Sequence, residues 1–337
     1  MTMQNINSMP TIGNRFTTWV RQAWTFNRLL TLAGLLHLLL IPVLLLVWAI
    51  DPKTILGVAA WIKPLKFAIS IAIYAFTFVW LLTYVQGWPR FVKFVANATG
   101  VALIVEMTLI TMQVVRGTTS HFNASTPFDS AVFSIMGLFI MMVAVLNLLI
   151  AMRLLVQKMP DPVFAWGLRL GILIAFLGMV EAGFMVGPTP AQLAALQTGV
   201  AVPTIGAHSV GVADGGPGLP ILGWSTTGGD FRAPHFFALH GMQILPIVGW
   251  LLTKQRARRW LSVKQRIGLV WTAGFGYLGL VGILTWQALR AQSVIAPDAT
   301  TWIAWVLLVA SVLVISGGIS LRARQHQGET VGVSVNS

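Results

Sequence analysis

Cysteine is absent from the 337 residues, and only 9% of them carry a charge. Without a thiol there is no disulfide framework, no Cys-ligated zinc, no iron–sulfur cluster and no thioether-attached haem. An ordinary soluble domain is about 25% charged, whereas this chain is 56% hydrophobic and cannot cover its own surface in water. Acidic residues are scarcer still, nine against 22 Lys and Arg, giving a net charge of +13. Nucleic-acid binding would need those basic residues gathered on one solvated face. Here they flank long apolar runs, which excludes a nucleic-acid partner and points to a membrane.

What is present in abundance is apolar sequence in blocks of the length that crosses a bilayer, about 20 residues. Eight blocks are expected to span, at 29–50, 64–85, 94–115, 131–152, 164–186, 236–252, 267–289 and 302–319. The fold class is therefore an all-α polytopic membrane bundle. A polar N-terminal segment (1–28) precedes one transmembrane domain (29–321), and a tail (322–337) follows it. The first apolar run is too long for a signal-peptide core and lacks a small-x-small cleavage site, so it is expected to stay as an anchor. The sixth block holds Gly241, Pro246 and Gly249 and is the one expected to kink or break. Asp129 and Ser130 suggest an N-cap for the fourth, and Pro64 and Pro234 suit the opening turns of the second and sixth.

Alternating the blocks across a bilayer puts sixteen of the 22 basic residues on one side with two acids, a balance of +14. The remainder of the chain carries six basic residues against seven acids. The positive-inside rule makes the first side cytoplasmic, with both termini inside and anionic inner-leaflet lipid as its partner. Small residues mark close helix approach: Gly171, Ala175, Gly178 and Ala182 in the fifth block, and Gly268, Thr272, Gly276 and Gly279 in the seventh, form continuous seams, and both helices are expected to be interior to one bundle. Such seams also suit a homo-oligomer. No repeat relates the first four blocks to the last four.

The cytoplasmic connections are short, and the outer side holds one long loop, 187–233, with ten Gly and five Pro. Thr189, Pro190 and Gly199 mark the cap, first turn and stop of one short helix within it. A loop this long and so little charged either packs down as a lid or is an ordinary surface connection.

Polar residues concentrate toward the outer side. Four of the six histidines, His121, His208, His235 and His240, lie on or near it. His235 and His240 are five apart, about 140° around a helix, so they cannot chelate one ion together unless the first turn unwinds at Pro234. Glu106 lies inside the third block and Glu181 near the outer end of the fifth, where a charge is paired, protonated or functional. Thr99, Glu106 and Gln113 recur every seven residues as one polar stripe pointing toward Arg116. On the sixth block His240 and Gln243 share a face. Asn147 is expected as interhelical glue, His37 as a packing residue, the methionines as core filling, and Lys63 and Lys66 as snorkelling side chains at the outer interface.

The segments Arg116–Asp129 and Gly206–Pro246 carry Gly223-Trp-Ser-Thr-Thr-Gly-Gly-Asp-Phe-Arg232, followed by His235 and His240. They resemble a signature of uncharacterised bacterial multi-pass inner-membrane proteins and cover about a sixth of the chain. The resemblance implies a bacterial inner membrane and no particular chemistry.

Four functions fit these residues, the fourth a purely structural subunit, and the first is preferred. In the first, a redox or metal-binding protein, b-type haem or a His/carboxylate metal is held by His240 and His121, with His208 and His235 as further ligands. Arg116 or Arg232 then pairs with propionates or orients a carboxylate. In the second, a proton-coupled transporter or binding protein, Glu106 carries the proton. In the third, a membrane-embedded enzyme acts on a lipid or quinone from the outer leaflet, with Glu106 or Glu181 and a histidine as acid and base.

Overall fold

The computed structural model describes residues 12–335. An interfacial-type amphipathic helix, α1 (Ile12–Phe26), precedes α2 (Arg28–Ile50), and a small hairpin, β1 (Thr54–Ile55) and β2 (Val58–Ala59), leads into α3 (Ile62–Leu82). Then follow α4 (Pro89–Val115), α5 (Pro127–Val156), and α6 (Pro162–Glu181) continued by the turn α7 (Gly183–Val186). The long loop contains α8 (Pro190–Gln197), β3 (Ser209–Val210) and β4 (Gly229–Asp230). The chain ends with α9 (Arg232–Leu252), α10 (Gln255–Trp260), α11 (Val263–Leu289) and α12 (Ala299–Val335).

Eight of these helices are long and apolar enough to cross a membrane, and each overlaps the block expected from hydropathy. Several start a turn earlier than expected because polar caps, not apolar residues, begin them. Thr126 caps α5 by accepting from the Asp129 backbone N–H, with Pro127 at the first turn. Asp129, expected as the cap itself, instead accepts a hydrogen bond from the Thr126 hydroxyl. Thr189 does cap α8, in a reciprocal pair with Gln192. Of the expected terminal segments, residues 1–11 and the side chains of Arg15, Arg324 and His326 lie outside the described residues.

One apolar core gathers α2 to α5 with the inward faces of α6 and α9, and a second joins α6, α9 and α11. The α6–α9 contact is the tightest in the molecule because glycines let backbone meet backbone. A Cβ on Gly167 would stand 2.7 Å from the Leu245 carbonyl oxygen, one on Gly171 2.8 Å from that of Gly241, and one on Gly178 2.6 Å from Ala238 Cβ. Accordingly α9 is not broken at Gly241, Pro246 or Gly249; it runs unbroken, and Gly241 and Pro246 serve the contact with α6. The second small-residue seam does not face the interior: Gly268, Gly276 and Gly279 receive Ile319, Val312 and Leu308 of α12, the outermost helix. Asn147 does act as glue, donating to the Tyr74 hydroxyl at 2.6 Å across α5 and α3.

At the end opposite the long loop, arginines cap helix termini. Arg169 donates to the Leu154 and Gln157 carbonyls, and Arg258 pairs at 3.0 Å with Asp161, the α6 cap.

Candidate functional site

The three buried members of the α4 stripe, Thr99, Glu106 and Gln113, face the bundle interior as their spacing requires. Glu106 lies nine residues, about 13 Å, before the end of α4. The connection from α4 to α5 turns back inward and lowers His121 onto it. His121 Nε2 stands 3.6 Å from Glu106 Oε1, too far for a hydrogen bond, and Glu106 Oε2 has no partner at all. With 2% of its surface exposed, the carboxyl group is sealed from solvent while retaining free bonding capacity. On its other nitrogen, Nδ1, His121 shares a 3.0 Å hydrogen bond with Ser120 Oγ, and its ring is bordered by Phe67, Phe122 and Phe133. Burial among these rings holds the His121 pKa well below the ordinary histidine value, and the Lys63 and His208 charges push it the same way. The imidazole is neutral at physiological pH.

His208 comes from the long loop and packs its ring against Phe122, 4.8 Å between centroids. Asp214 accepts from His208 Nδ1 at 2.7 Å and from the backbone N–H groups of His208 and Ser209. Burial would raise the Asp214 pKa, but these donors outweigh it and hold the carboxyl well below its usual range. Because an ionised carboxylate only accepts, the proton sits on His208 Nδ1 and Nε2 keeps its lone pair. Burial lowers the His208 pKa despite the Asp214 bond.

Three cations complete the cluster. Lys66 donates to the Leu222 carbonyl at 2.7 Å, and Arg232 binds Asp230 and the Gly223 carbonyl, both at 2.5 Å. Together they clamp one turn of the long loop onto α3 and α9. Lys63, in the first turn of α3, is within electrostatic reach of Glu106, His121, His208 and Asp214. The β1–β2 hairpin sets that turn: Trp61 Nε1 donates to Asp51 at 2.7 Å across the hairpin base, directly before α3.

The long loop does pack down. Ala124 and Ile205 exchange backbone hydrogen bonds with Pro203 and Phe122, and Ser293 Oγ holds the Ser225 carbonyl at 2.9 Å. Gly206, with φ +102°, passes so close to the Met185 carbonyl and the Phe122 ring that no side chain fits there. Histidine ionisation opposes this closure. The His121 and His208 pKa values are lower closed than open, so their contribution is complete above about 6.5 and is lost as pH falls below it, by up to about 1.4 kcal/mol per pH unit for each histidine. Asp214 works the same way but only far below this window, because its closed-state value is depressed below 3.8. Hydrogen exchange across residues 200–231 should therefore accelerate between pH 6.5 and 5, and a rate independent of pH, after correction for intrinsic exchange, would contradict this.

The other expected site residues stand elsewhere. Glu181 is taken up by the Thr285 hydroxyl of α11 at 2.5 Å, and His235 Nδ1 by the Gly178 carbonyl at 2.7 Å, a tie between α9 and α6. His240 stacks edge-on against Phe236, 4.4 Å between centroids, and Gln243 on the same helix reaches Thr77 of α3. Arg116 closes a network with Gln113, Asp129 and the Phe128 ring. Among the described residues no three of His, Asp and Glu gather closely enough to hold a metal ion. Sequence reasoning missed Lys63, Lys66 and Asp214. Lysines at a span end ordinarily snorkel, and only the Asp-Gly-Gly-Pro-Gly turn after His208 hinted at Asp214.

No family model, curated protein or solved structure matches this chain. The chain is an integral multi-pass helical membrane protein. Its polar chemistry is concentrated at the loop-bearing end.

Proposed function

We propose that the protein is a membrane-embedded enzyme acting on a lipid-phase substrate, a lipid or a quinone, with Glu106 and His121 exchanging the proton. One observation carries this: a sealed carboxyl group with an unpartnered oxygen faces a neutral imidazole at 3.6 Å. A free carboxylate and a neutral imidazole poised together but not bonded can pass a proton to and from a bound substrate. The basic asymmetry makes the loop-bearing end the outer one, in a bacterial inner membrane whose anionic inner leaflet meets α10 and its neighbours. The test is product analysis of lipids and quinones extracted from proteoliposomes. A product formed by wild type and not by Glu106→Gln supports the proposal; unchanged lipids and quinones overturn it.

A second reading, b-type haem or a bound metal, is favoured by the Asp214–His208 pair. A carboxylate on Nδ1 fixes the tautomer that presents Nε2 as a ligand, and His121 also packs against Phe122. It predicts a Soret band or stoichiometric metal that is lost in His208→Ala. Proton-coupled transport through Glu106 draws less support, since the charged groups around it cluster at one end of the bundle.

A further inference from the structure

We propose that Lys63 anchors a phosphomonoester or other hydroxyl-bearing oxyanion, binding its O⁻ while Glu106 or His208 accepts the hydroxyl hydrogen. This deepens the acid–base reading of the same site by naming the class of group bound there, and it rests on that reading for what then happens to the molecule.

The argument starts from what each cation is doing. Lys66 is held by the Leu222 carbonyl, and Arg232 by Asp230 and the Gly223 carbonyl. Lys63 alone of the three makes no hydrogen bond to another described residue, so all three ammonium protons are available. Across from it, Glu106 Oε2 is buried without a donor, and His121 Nε2 stays 3.6 Å from Oε1. His208 presents an Nε2 lone pair because Asp214 holds its Nδ1 proton. Lys63 lies one turn before Phe67 on α3, whose ring stands 5.7 Å from that of His121, and it is within electrostatic reach of two free acceptors, Glu106 and His208. A simple anion would satisfy the ammonium and leave Glu106 facing negative charge. A simple cation would satisfy Glu106 and be repelled by Lys63. An oxyanion that retains a hydroxyl satisfies both, since O⁻ accepts from Lys63 in a charge-assisted bond and O–H donates to the carboxylate or imidazole. Phosphomonoesters are of this kind near neutral pH, where their second ionisation is incomplete. Lys63 lies in the first turn of α3, at the end of a membrane helix, so the group could belong to a lipid headgroup or to a free phosphate.

The test uses full-length protein in phosphate-free maltoside micelles, reading tryptophan fluorescence from Trp61 and Trp224 beside the site. Titrants are inorganic phosphate, sulfate, dioctanoyl phosphatidic acid and dioctanoyl phosphatidylcholine. Saturable binding of phosphatidic acid alone identifies a headgroup, and binding of inorganic phosphate as well identifies a free anion. Either supports the proposal if Lys63→Gln weakens it by about tenfold or more while Lys63→Arg, which keeps the charge, stays within about threefold. Lys53→Gln, at an exposed lysine bonded to the Val115 carbonyl, should leave it unchanged. Sulfate, which offers no hydroxyl hydrogen at neutral pH, should bind more weakly than phosphate. No saturation by inorganic phosphate or phosphatidic acid, equal affinity in Lys63→Gln, or equal affinity for sulfate or phosphatidylcholine overturns the proposal. Loss of turnover in Glu106→Gln with no phosphate binding would leave the acid–base reading standing and remove this one.

Discussion

Glu106→Gln is expected to lower kcat/KM for the lipid-phase substrate by about 10²–10⁴-fold, the usual worth of a positioned general acid–base group. The amide has the carboxyl's shape, so the packing of α4 is retained, while the group can no longer take up or release a proton near neutral pH. His121→Asn should fall in the same range, because both members of the 3.6 Å pair are needed to move one proton. Combining the two should cost little more than either alone, as for residues that act as a unit. Glu181→Gln provides the contrast. Its carboxyl is engaged by Thr285 between α6 and α11, so its effect is expected on thermal stability with turnover kept. Turnover of Glu106→Gln within about threefold of wild type would remove Glu106 from the chemistry.

Gly171→Leu is expected to prevent accumulation of folded protein. The first added carbon would already lie 2.8 Å from the Gly241 carbonyl oxygen, a backbone atom, and 3.0 Å from Cδ in the rigid ring of Pro246. Overpacking of one or two carbons typically costs about 1–3 kcal/mol, the range expected for Gly171→Ala. Leucine adds three further carbons where α6 and α9 leave no room, and the two helices must separate, dismantling the core that both supply. Gly137→Leu on α5 is the matched control: nothing stands within 4 Å of its position, and it faces outward. Thermal unfolding in detergent distinguishes the two, and a Gly171→Leu protein as stable as Gly137→Leu would contradict the packing assigned to the α6–α9 seam.

The architecture was largely legible in the sequence. Hydropathy located the eight long helices, and the seven-residue spacing of Thr99, Glu106 and Gln113 correctly placed a buried polar stripe. Local hydrogen-bonding chemistry gave the Thr189 cap of α8 and missed that of α5, where Thr126 rather than Asp129 begins the helix. Two seams of identical spacing proved different in use. The one on α6 meets the backbone of α9 inside the bundle, whereas the one on α11 receives side chains of the outermost helix, and spacing says nothing about which neighbour a seam meets.

The site divides in the same way. That Glu106 would matter follows from one residue and its surroundings in sequence, since a carboxyl in the middle of an apolar run needs a reason to be there. Its partner does not follow. His121 meets Glu106 because a short connection dips inward, and His208 joins because the long loop folds back. Lys63 reads as an interfacial lysine until the hairpin before α3 and the clamped Leu222–Gly223 turn set it among two histidines and two carboxylates. Membrane span and charge asymmetry are sums over neighbouring residues, so the chain fixes them without its fold. Which polar groups converge depends on turns, glycine approaches and loop hydrogen bonds between residues far apart in sequence, and those only the tertiary structure decided.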